Sequence, residues 1–196
     1  MTRREPWRSN GHHDGGFTLV ELLLASMITV LALSIVTAIF VSTIKAQQAV
    51  DSVATSASKA QLAASNIDNR IRNSSEFAVS TPSGTTDQLL VTRSASAGST
   101  LSWTCYGWYY SSASGGSLRM TSTAAGTKIV APTTSQLSAW TLLVSGIAPT
   151  SGSTIFSASG TQLSVGFKAT AGSSDPTGIQ FTTSKMTGVA ETQTCY

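Results

Sequence analysis

Histidine is nearly absent from this chain: the two in 196 residues, His12 and His13, lie side by side near the N-terminus. Beyond residue 16 there is no imidazole for general-base chemistry or metal ligation. Carboxylates are sparse too, and Glu21, Asp51, Asp68, Glu76, Asp87, Asp175 and Glu191 are mostly far apart in sequence. No zinc-ligand spacing, phosphate loop or serine-nucleophile motif occurs. One carboxylate in Asp175-Pro176-Thr177-Gly178 is too few for a calcium loop, so this segment reads as a turn. These absences argue against an enzyme and give no reason to expect a cofactor, a metal or a small-molecule substrate. Charged residues make up only 11% of the chain, and Arg93, Arg119, Lys128, Lys168 and Lys185 are scattered. Nucleic acid is therefore not an expected partner. Proline and glycine are both missing from Phe17 through Thr81, which leaves that stretch without a helix breaker.

One long apolar run stands out. From Phe17 to Ile44 the sole charge is Glu21, and at about 1.5 Å per residue a helix of that length exceeds a hydrocarbon core of about 30 Å. Residues 1–16 form a polar leader in which Arg3, Arg4 and Arg8 oppose Glu5 and Asp14. Its basic residues favour the cytoplasmic side, which puts the bulk of the chain outside. A secretory signal places its small-residue cleavage site after the apolar part, whereas here Gly15-Gly16 precede it. A carboxylate within the run costs roughly 2.5–3.5 kcal/mol on insertion scales. Glu21 either sits at headgroup level or, if the chain is cut after Gly16, neutralises the new Phe17 amine of a neighbouring subunit.

Residues 45–80 continue as an amphipathic helix with an apolar stripe at Ala46, Val50, Val53, Ala57, Ala60, Ala64, Ile67 and Ile71, spaced alternately by four and three. From Ala60 onward the small residues suit packing under a sheet of the same chain. Lys45, Asp51, Lys59, Asp68, Arg70, Arg72 and Glu76 form the opposite, solvated face. Near Thr81-Pro82-Ser83-Gly84 the composition turns to Ser, Thr and Gly, which marks the start of the head, 81–196. Strands are expected at 88–93, 101–110, 117–121, 127–131, 140–145, 154–157, 162–169 and 178–183. Aromatics on both faces of 101–110 indicate a central strand covered from both sides, and Leu163, Val165, Phe167 and Ala169 share one face of theirs. The expected fold is α+β: a long N-terminal helical stem, membrane half (17–44) then amphipathic half (45–80), packed on an antiparallel β-sheet head. Outside the cytoplasm Cys105 and Cys195 can form a disulfide closing about 90 residues; the alternative is two free thiols.

The segment Gly16-Phe17-Thr18-Leu19-Val20-Glu21 resembles the cleavage and methylation motif of the type IV pilin and pseudopilin superfamily. The resemblance implies a membrane-embedded prepilin peptidase that cuts between Gly16 and Phe17 and N-methylates Phe17, with Glu21 in the subunit-to-subunit role. More loosely, the region from Leu101 to Met120, with Leu163-Ser164-Val165-Gly166-Phe167 and Ile179-Gln180-Phe181, is similar to W-type minor pilins and J-type minor pseudopilins. That likeness implies a structural subunit that primes assembly or caps the tip of a type IV pilus or type II secretion pseudopilus. Its implied partners are other pilin or pseudopilin subunits, the inner-membrane assembly platform and membrane lipid. Its implied location is the inner membrane, single-pass with the head outside, and then the pilus or pseudopilus at the cell surface or in the periplasm. Cys105 falls earlier than the first cysteine of the usual major-pilin loop. The alternatives are a major or accessory pilin exposed along the filament, in adhesion or DNA uptake, and a membrane-anchored binding module that never polymerises.

Overall fold

The computed structural model describes residues 16, 18–96, 102–170, 176–187 and 194–196. Its chain divides into two units, 1–46 and 47–196, which are taken separately. Helix α1, Leu19–Arg72, is continuous in sequence across both.

In the second unit, Ala60, Ala63, Ala64, Ile67 and Ile71 of α1 are buried. The expected stripe thus packs into the head from Ala60 onward, while Val50 remains exposed. The helix stops at Arg72, earlier than the expected stem end at residue 80. Two side chains take up its last free carbonyls, Asn73 Nδ2 donating to Asn69 O (2.8 Å) and Ser74 Oγ to Ile71 O (2.6 Å). Residues Ser74–Ser80 form strand β1 instead. Helix propensity does not override this, because β1 gains a ladder with its neighbour β2, Gln88–Ser96, interrupted only at Ser75. Glu76 is therefore not on a solvated helix face: it is buried, with one carboxylate oxygen 3.9 Å from Nε of Arg93 on β2. The Thr81–Gly84 segment is a turn, but it joins two strands.

Strands β3 (Ser102–Ser111), β4 (Ser117–Ala124) and β5 (Thr141–Ser145) complete an antiparallel sheet in the order β1-β2-β3-β4-β5. Its central strand, β3, is covered on both faces, as its aromatics indicate. Trp108 and Tyr110 join α1 in the main core, and Trp108 Nε1 donates to Asn66 Oδ1 of the helix at 3.2 Å. Cys105 and Tyr109 point the other way, into a smaller cluster with Leu89, Val91, Ile129 and Cys195. Residues 127–131 are not the strand expected of them. Ile129 sits over Gly107, where an added Cβ would come within 2.8 Å of its Cγ2, and its N–H is donated to Cys195 O at 2.8 Å. With that bond the segment satisfies its backbone against the C-terminal residues.

The second sheet is built on β8 (Gln162–Ala169), whose alternate side chains Leu163, Val165, Phe167 and Ala169 are buried as expected. One side of β8 pairs with β9 (Thr177–Ser184); the other pairs end to end with β6 (Ile147–Pro149) and β7 (Phe156–Ser159). The chain passes from β5 to β6, and so between sheets, at Gly146 (φ +70°), whose N–H is donated to Gly116 O at 2.8 Å. A second tie comes from Gln88 at the start of β2. Its Oε1 accepts the N–H groups of Ile155 (2.6 Å) and Phe156 (2.9 Å), and its Nε2 donates to Phe156 O (2.9 Å). All of this is buried. We expect Gln88→Leu to lower stability by about 2–3 kcal/mol, since it strands backbone groups that water cannot easily reach. Urea unfolding of the full chain in detergent checks this, and an unchanged midpoint would contradict it.

Candidate functional site

The N-terminal motif and the uncovered half of α1 form the candidate site. Helix α1 begins on Thr18, whose backbone oxygen accepts the N–H groups of Glu21 (3.0 Å) and Leu22 (3.2 Å). Thr18 Oγ1 also accepts the Glu21 N–H, at 3.3 Å. Thr18 and Glu21 thus stand at the spacing of a capping box, with its first hydrogen bond made. A carboxylate in the first turn is also favoured by the helix dipole. This local role of Glu21 is compatible with either sequence-based role. The Glu21 side chain is exposed, Gly16 is exposed, and a Cβ added at Gly16 would meet nothing within 4 Å. Among the described residues nothing demands glycine at residue 16. Phe17 lies outside the described residues, as do the leader up to Gly15, Asp175 and Glu191.

From Leu19 to Ile44 the large apolar side chains are all exposed. This is the one described helix long and apolar enough to cross a membrane. Five of the six hydroxyls between Leu19 and Ile44 are satisfied inside the helix: Ser26 Oγ donates to Leu23 O, Thr29 Oγ1 to Ala25 O, Ser34 Oγ to Leu31 O, Thr37 Oγ1 to Leu33 O and Thr43 Oγ1 to Ile39 O, all at 2.7–2.9 Å. Such internal bonding is what a hydrocarbon environment requires.

In the head, Cys105 and Cys195 form the expected disulfide, with Cα atoms 5.6 Å apart and both residues fully buried. Arg70 stacks on Tyr106 (4.2 Å to the ring centre) and Arg72 pairs with Asp68 at 2.8 Å, so each has a partner in its own chain. The aromatic group of β3 is largely core: Trp108, Tyr109 and Tyr110 are buried, and Trp103 lies under the Arg93 guanidinium at 4.5 Å. Asp87 is held by several hydrogen bonds. It accepts the Ser112 N–H (2.7 Å), the Ser112 hydroxyl (2.8 Å) and the Tyr109 hydroxyl (2.8 Å). Partial burial opposes its ionisation, but these hydrogen bonds together outweigh burial and hold its carboxyl below the usual value. Burial, and then the bond to Asp87, push the Tyr109 phenol up to about 12. An ionised carboxylate locked by three donors ties the β1–β2 turn to the end of β3. Among the described residues no three His, Cys, Asp or Glu side chains gather where a metal could bind.

Sequence reasoning did not find Gln88 or the buried Glu76–Arg93 pair. A lone Gln at a strand start carries no local signal, and the Glu76–Arg93 pair depends on a strand read as helix. No family model, curated protein or solved structure matches this chain.

Proposed function

We propose that this chain is a minor pilin or pseudopilin, a structural subunit that primes assembly or caps the tip of a type IV pilus or type II secretion pseudopilus. The observation that carries the reading is the division of labour along α1. Its last turns are buried in the head, whereas the half from Leu19 to Ile44 leaves its large apolar side chains uncovered and carries one charge, the exposed carboxylate of Glu21. Such a helix suits both lipid and the stems of like subunits. In a stack of stems, Glu21 would meet the Phe17 amine of the next subunit, and a charge pair of that kind serves register more than stability. Prepilin peptidase, the assembly platform and other subunits are the partners this reading requires.

The test is the intact mass and N-terminal peptide of the protein from its native membrane. The expected product begins at Phe17 and carries one added methyl. An uncut leader, or cleavage beyond the apolar run, would overturn the proposal.

A further inference from the structure

Strand β9 forms a sheet edge unlike the others. On β1 a bulge falls between Ser74 and Glu76, and the charged Glu76 turns inward. The β5 edge has five residues and a register shift against β4; the β6–β7 edge is broken by residues 150–155 and carries Pro149. Bulges, inward charges, proline and shortness are the devices that stop an edge from recruiting another strand. Among the described residues none is found on β9, which runs for eight residues in unbroken register with β8 and has neither charge nor proline.

The direction of its backbone groups follows from two bonds. Lys185 N–H is donated to Thr161 O, and Gly166 uses its N–H on Ile155 O and its C=O on the Thr150 N–H, on the side of β8 away from β9. Antiparallel alternation then turns Ile179, Phe181 and Thr183 toward β8, and leaves Gly178, Gln180, Thr182 and Ser184 with outward N–H and C=O groups. Beside this edge Ile179 and Phe181 are only half-buried, and a groove of about 290 Å³ separates Phe181 and Thr182 from Ala64 and Asp68 of α1.

We infer that this edge pairs with the same edge of a second copy of the chain, antiparallel about a two-fold axis at Phe181. β9 itself is the strand its edge calls for: uncharged, extended and apolar on the half-buried face. With Phe181 opposite the partner's Phe181, Gly178 faces the partner's Ser184 and Gln180 the partner's Thr182. All four outward residues are then satisfied, with about eight backbone hydrogen bonds in four pairs. Sliding one way brings in Pro176, which has no donor. Sliding the other way brings in Met186, whose N–H is already given to Ser74 O at 2.9 Å. The favoured register also sets the two Phe181 rings at a non-hydrogen-bonded pair, where side chains approach most closely. An isologous contact of this kind closes at two copies. It uses none of the apolar segment and stands apart from the proposed function.

Light scattering on the full chain in detergent micelles tests it, with two chains per particle expected and one for the Gln180→Lys/Thr182→Lys variant. Both positions are exposed, so the head should fold unchanged. Register is read by mixing a Gln180→Cys chain with a Thr182→Cys chain under mild oxidation. A covalent dimer should form there and not in an offset mixture of Gly178→Cys with Gln180→Cys. A monomeric wild type, a dimer indifferent to the lysines, or equal cross-linking in the two mixtures would overturn the inference.

Discussion

Gly116→Ala lowers the stability of the head by about 4 kcal/mol or more, roughly the sum of left-handed backbone strain and overpacking. Gly116 has φ +85°, and a Cβ built there would lie 1.7 Å from Ile147 O. The obstacle is backbone, and it cannot step aside: Gly116 O accepts the N–H of Gly146, and Gly146 O accepts the N–H of Thr170, both at 2.8 Å. Those bonds fasten the crossing between the two sheets. The neighbouring Gly115 supplies the control, because its φ is +82° and nothing lies within 4 Å of an added Cβ. Gly115→Ala should cost only about 1 kcal/mol. Urea midpoints of both variants in the full chain would separate strain from collision; equal losses would sink the argument.

Cys195→Ser is expected to cost about 4–5 kcal/mol, the chain-entropy value for a loop closed across the observed separation of 90 residues. The bond also holds the C-terminal residues over the second cluster, where Cys195 O accepts the N–H of Ile129. Cys105→Ser should match it. Reductant should lower the wild-type midpoint by a similar amount and leave both variants unmoved. A serine variant as stable as the wild type would mean that packing of Ile129 on Gly107 suffices without the covalent tie.

Legibility in the sequence followed the range of the forces involved. The helix, its stripe from Ala60, the two-sided β3 and the alternating β8 were readable because periodicity and the absence of Gly and Pro are local properties. The end of α1 was not, since residues 74–80 become strand only through pairing with β2, 14 residues further along between Ser74 and Gln88. Likewise β6 is three residues long and owes its conformation to the far end of β8. At the N-terminus, Gly16, Phe17 and Glu21 were conspicuous as a motif, while the capping partnership of Thr18 and Glu21 needed coordinates to be seen.

The disulfide has a mechanical side as well. Tension between the stem and the C-terminus would travel through β1 and β2 to Cys105, cross to Cys195 and bypass everything between. The enclosed 90-residue separation, about 300 Å of extended chain, would thus be withheld from stretching. Only the strands ahead of Cys105 could pay out, so under load the head behaves as a short tether with a hard stop.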